Sequence, residues 1–344
     1  MSIVIRSVGQ MAAYLPYSLG FYPHRSVVVV GQIGRELGMT ARQDIPPPGA
    51  TDREARQVAA LFAREGHDSA QLFGIDDGPD PEPLLRAARR SLSALGIRVS
   101  HTALLDGVGN WRALQCACGG CPREWTAVPD VSKNPAVAEA VLRGIAPMDS
   151  RADVEALLVP TDPTLLDQVA RAIRRGAGPS LTQVGVAVRH LVHEDFSGGS
   201  QLSIADLADA TSGLQRIAVR DGVLSWLLPQ EFPTVAAADR LPDLVVALGR
   251  SPGAREHPAD FFCDDTGGVA SRLAACARST PRDLRAPVLT VLAAVGWLGG
   301  GGALGRTAAE QALEIDPGYR LAQMVHQAFE HCVRPTPRED RHPA

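Results

Sequence analysis

Cys116, Cys118 and Cys121 fall within the stretch LQCACGGCPREW, and they are half of the six cysteines in this 344-residue chain. Zinc takes four donors in tetrahedral reach, and these thiols could supply three, with His101 on the preceding strand as the fourth. Cys118-Gly-Gly-Cys121 also has the Cys-x-x-Cys spacing of a redox dithiol. Such pairs are normally activated at a helix N-terminus, whereas a proline-marked loop follows here. Structural zinc sites usually repeat the Cys-x-x-Cys knuckle, and this sequence carries no second one. The spacing therefore favours a third reading, in which Gly119 and Gly120 turn the chain after an edge strand and the thiols pack as small apolar groups.

A second group of candidates lies earlier. In LGFYPHRS, His24 and Arg25 sit on a loop entering a strand, where α/β folds gather function, and could receive an anionic ligand. Pro16 and Pro23 fixing the chain path, with Phe21 plugging the core, explain the same residues structurally. Arg42 and Asp44 alternate on the next strand and so share a face, as the wall of a polar pocket or as a solvated edge. Trp111, second in NWRALQC, completes the ligand-binding candidates. Asp76 and Asp77 close the strand QLFGI, where turn chemistry before Pro79 accounts for them. His190 and His193 lie three apart beside Glu194 and Asp195, a spacing common on solvated helix faces and unlike His-Glu-x-x-His. Arg220 and Asp221 read as a helix-packing salt bridge. GGGGALGR lacks the lysine and hydroxyl residue of a phosphate-binding loop.

The elements that must position these residues alternate at first. SVVVVG is a short β-branched run, as in a strand buried on both faces, and LGMTARQDI pairs with it as a hairpin. TDREARQVAALFAREG predicts a helix with Thr51 as cap, Glu54 completing a capping box and Gly66 as stop. Strand SAQLFGI, a helix after Asp80-Pro81, strand IRVSHTALL and a returning NWRALQC give the order β-β-α-β-α-β-β. That order predicts an α/β mixed-sheet N-terminal domain over residues 1–125. From Ala136 strand signals nearly vanish, and helix starts recur at Asp162, Ser180, Ser203 and Thr280. Residues 136–334 are thus expected to form an all-α C-terminal domain, and 335–344 a frayed tail. Near its end, small residues at Ala293, Ala308 and Ala312 and the break at Asp316-Pro317 resemble a single tetratricopeptide-like (TPR-like) helical hairpin.

A net charge of −4 and pI of about 6.1 leave no global basic field, so general nucleic-acid binding is not expected. The N-terminus lacks the basic and apolar regions of a signal peptide, which points to the cytoplasm and reduced thiols. Ala286 to Gly305 is uncharged over a transmembrane length, but its four consecutive glycines argue for a buried helix followed by a loop and no membrane span.

Several stretches, LPYSLGFYPHRSVVVVG, GMTARQDIP, Trp111 with CACGGCP after it, IAVRDGVL and VLAAVGWLGGGGALGRTAAEQALEIDPGYRLA, together resemble the actinobacterial domain-of-unknown-function family DUF4192 over nearly the whole chain. That family's usual thiol segment is a cysteine, three spacers and Cys-Cys-Pro. Here Gly120 stands at the penultimate cysteine, Cys118 lies off the pattern, and Trp125 replaces a glycine. The resemblance implies no reaction.

The first functional expectation is a protein-interaction or regulatory module, with the helical half presenting a groove to a protein partner. The alternative is an enzyme or small-ligand-binding protein whose pocket lies at the strand ends and uses His24, Arg25, Arg42 and Asp44. A zinc-stabilised module built on His101, Cys116, Cys118 and Cys121 is the third.

Overall fold

The computed structural model describes residues 5–142, 145–192, 203–229, 232, 241–249, 268–299 and 302–331. His193, Glu194, Asp195 and the tail 335–344 lie outside the described residues. Two compact units divide the chain, Met1–Leu142 with Ala146–Arg151, and Arg143–Ile145 with Ala152–Ala344.

The first unit is a six-stranded mixed sheet in the order β2-β1-β3-β4-β5-β6. Its strands are β1 (Ser26–Ile33), β2 (Glu36–Asp44), β3 (Ser69–Ile75), β4 (Arg98–Leu105), β5 (Asn110–Cys116) and the two-residue β6 (Thr126–Ala127). Only β3 and β4 are parallel, joined by a crossover through α3 (Glu82–Ala94). The valine run of β1 is buried on both sides because successive side chains alternate. Val27 and Val29 pack with α2 (Thr51–Arg64) and α3, while Val28 and Val30 pack with α1 (Val8–Leu19) around Phe73, Ala103 and Trp111.

Two local features differ from the sequence reading. Ala50, already helical in backbone, caps α2 without a side-chain bond, so Thr51 falls inside the first turn and Glu54 pairs with Arg53. The segment containing Pro16, given no element by the sequence reading, is helix α1, capped by Ser7. Pro16 sits in its last turn, where its own carbonyl still accepts from the Gly20 amide.

The second unit is helical among its described residues. Helix α4 (Pro135–Leu142) still belongs to the first unit, and the helices of the second begin with α5 (Arg151–Ala156), α6 (Pro163–Arg175), α7 (Leu181–Val192), α8 (Ile204–Leu214), α9 (Ile217–Leu227) and α10 (Pro242–Leu248). They continue with α11 (Val269–Ser279), α12 (Arg285–Gly299), α13 (Gly302–Ile315) and α14 (Arg320–Glu330). Asp162, Ser180 and Ser203 accept amide bonds at the helix starts they announce. Apolar on every side, α12 is the buried centre of this unit, as an all-round hydrophobic helix must be. Ala293, Ala308 and Ala312 are fully buried, and a Cβ on Gly305 would stand 2.9 Å from Gly296 Cα, so α12 and α13 touch backbone to backbone. None of the described helices is long and apolar enough to cross a membrane.

Candidate metal centre

His101 and Cys116 are ladder partners on β4 and β5. Two irregularities in the sheet flank this pair. Ala70 faces Val99 and Gln71 faces His101, so Ser100 is an extra residue in β4; on β5, Leu114 is extra between Ala113 and Gln115. Bulges re-aim side chains, and this one does so visibly. Val99 packs with the α2–α3 cluster, whereas His101 shares the face of Ala103 and Leu105 on the α1 side.

The loop after β5 is folded back onto the same spot. Ala117 N–H donates to Ser100 O, Ala113 N–H to Pro122 O, and Arg123 Nη1 to Leu114 O. Gly119 has φ of +72°, a left-handed turn with open space where a side chain would project. These bonds bring Cys118 Sγ to 3.0 Å from Cys116 Sγ and 3.7 Å from Cys121 Sγ. One donor atom from each of His101, Cys116, Cys118 and Cys121 lies within 4.8 Å of all the others. Zinc–sulfur bonds of about 2.3 Å span a tetrahedron with edges of about 3.8 Å, so shifts of about an ångström complete the geometry. Among the described residues no other group of three or more such donors exists.

The histidine is set for ligation by its neighbour. Ser100 Oγ donates to Ala70 O at 3.2 Å, which leaves that oxygen to accept from His101 Nδ1–H at 3.1 Å. The ring's Nε2 then carries the lone pair, and it is buried with no hydrogen-bond partner in the protein. An orienting bond on one ring nitrogen with the other free is the usual state of a metal-binding histidine. The thiols are electrostatically divided. Hydrogen bonds from Cys118 and Cys121 lower Cys116 to about 5, so it is a thiolate at neutral pH. Burial, then the bond with Cys116, pushes Cys121 up to about 12. Metal binding would therefore expel protons from this cluster.

The Domain of unknown function (DUF4192) family matches residues 9–336 of the chain. The chain belongs to this family. No curated protein and no solved structure matches it.

In this DUF4192 chain the strand-end candidates form a separate group. His24 Nδ1 bonds Asp77 Oδ2 at 2.6 Å, and the Arg25 amide donates to Asp77 Oδ1 at 2.7 Å. Arg42 donates to His24 O and to Asp44, and lies over the Phe21 ring. Asp77 is thus the hub of the cluster, a role that its place beside Pro79 disguised in the sequence. Trp111 is a core residue against α1, 6% exposed. The thiols are elsewhere: their row runs Val30–Gln71–His101–Cys116 across four strands, while His24 precedes β1. In the helical unit, His190 pairs with Asp206, and Arg220 bonds Asp221 and the Tyr319 hydroxyl. Sequence reasoning missed Ser100, whose only signal was its position next to His101.

Proposed function

We propose that this protein holds a zinc ion at His101, Cys116, Cys118 and Cys121, and that the ion is structural. What carries the reading is the buried, partnerless Nε2 of His101 beside three sulfurs on a loop pinned by its own backbone bonds. Soft thiolate and imidazole donors select zinc over the harder magnesium and calcium. Four protein donors leave no open coordination position, so the ion would clamp β4, β5 and the 117–121 loop and would not activate a substrate. A clamp there closes the sheet on the side where only the two-residue β6 follows. Reduced thiols of this kind fit a cytoplasmic setting.

This reading stands ahead of the two others. A protein-interaction or regulatory role rests on the α12–α13 hairpin, yet the faces of that hairpin are largely spent in the core. A ligand site at His24, Arg25, Arg42 and Asp44 has the Asp77 hub in its favour, but Asp77 already spends both oxygens on His24 and the Arg25 amide. The test is metal analysis of the purified full chain, reduced and reconstituted with zinc. Stoichiometric zinc is expected in the parent and a large loss in Cys116→Ser and His101→Ala. A parent chain that retains no zinc after gel filtration overturns the reading.

A further inference from the structure

The three sulfurs are not equivalent, and their differences suggest what the site does besides holding the sheet. Cys116 ends a strand and is paired across the ladder with His101. Cys121 packs against the α1-side core. Cys118 is the exposed one, and its sulfur lies closer than 4 Å to both others. Between Cys118 and Cys121 stand Gly119 and Gly120, and nothing lies within 4 Å of where either Cβ would be. There is thus room around the Gly119–Gly120 turn for the backbone between the pinned ends to rotate, whereas the Cys116 backbone is held in its ladder with His101.

We propose that the zinc site is a peroxide-responsive switch in which Cys118 and Cys121 are joined as a disulfide and zinc is released; the inference rests on the zinc reading above. Cys118 Sγ attacks one oxygen of hydrogen peroxide, the O–O bond breaks, and the departing hydroxide takes a solvent proton to become water. The resulting Cys118 sulfenic acid is attacked by Cys121 Sγ. An S–S bond forms, the S–O bond breaks, and hydroxide leaves as a second water after taking a proton. The two sulfurs together lose two electrons, which reduce the peroxide. Only Cys116 and His101 remain as donors, too few for the tetrahedral site, and zinc departs. Cys118, the exposed sulfur, is oxidised first. Cys116 Sγ is nearer to it at 3.0 Å but sits on a ladder-bound backbone, so Cys121, at 3.7 Å across the open Gly119–Gly120 turn, resolves it.

The experiment treats the zinc-loaded full chain with hydrogen peroxide, follows free zinc with a chromogenic chelator and maps disulfides by mass spectrometry. Zinc release in step with a Cys118–Cys121 disulfide is expected, with rebinding after dithiothreitol. In Cys121→Ala, whose zinc is already weakened, peroxide should leave Cys118 as a sulfenic acid that dimedone traps, an adduct weak or missing in the parent. Zinc kept under excess peroxide overturns the switch and leaves the structural site intact. Release with only sulfinic or sulfonic acids, or with Cys116 in the disulfide, also overturns it. A chain that binds no zinc before peroxide is added refutes the underlying site instead.

Discussion

Replacing Ser100 with alanine tests the geometry around the proposed zinc site without touching any of its four donor residues. The Ser100 hydroxyl makes two bonds, donating to Ala70 O at 3.2 Å and accepting from His101 Nδ1–H at 3.1 Å. Without it the imidazole loses the acceptor that holds Nε2 as its bare nitrogen, and the ring is free to take the other tautomer or to turn. Loss of such an orienting partner weakens metal binding by about 10- to 100-fold, roughly 1.4 to 2.8 kcal/mol. The lost bond to Ala70 O lowers folding stability by about 0.5–1.5 kcal/mol, but in the metal-free and loaded states alike. Zinc affinity, measured by competition with a chelator of known strength, therefore isolates the tautomer effect. Ser100→Thr retains the hydroxyl and should recover most of the affinity. Cobalt substitution supplies a second readout, since a displaced histidine alters the ligand-field bands while the sulfur charge-transfer bands persist. If Ser100→Ala binds zinc within twofold of the parent, the bond to His101 does not set the ligand, and the argument from the Ser100 hydroxyl fails.

Two further outcomes follow from the same structure. In the metal-free chain Cys116 is depressed to about 5, so iodoacetamide should modify it first at pH 7, more slowly as pH falls through 5, with Cys121 nearly inert; peptide mapping reads this directly. The sign for stability matches: a depressed folded-state thiol stabilises fully above the ordinary thiol range and loses that contribution as pH falls through about 5. Gly305→Ala places a Cβ 2.9 Å from Gly296 Cα and 2.8 Å from the Phe329 ring, so about 1–3 kcal/mol of stability should be lost in urea unfolding; an unchanged midpoint would refute the α12–α13 contact.

Much of the architecture was legible in the chain itself. A run of four valines can be buried on both faces only inside a layered sheet, and the absence of strand periodicity after Ala136 leaves helices as the way to satisfy the backbone. Helix starts at Asp162, Ser180 and Ser203 were readable because capping is local chemistry. Thr51 was misplaced by one residue because Ala50 is already helical, and helix α1 went unread because its burial against β1 is not a local property.

The site divides the same way. Residue types alone nominated three thiols and one histidine, but spacing favoured a plain turn, since a second knuckle was absent. The fourth donor comes instead from across a strand pair, fifteen positions from Cys116 in sequence and opposite it in the sheet. A one-residue bulge at Ser100 turns His101 to the thiol side, and that residue's hydroxyl sets which ring nitrogen is bare. Bulge position and hydrogen-bond direction arise from pairing between distant segments, so only the tertiary structure could decide them.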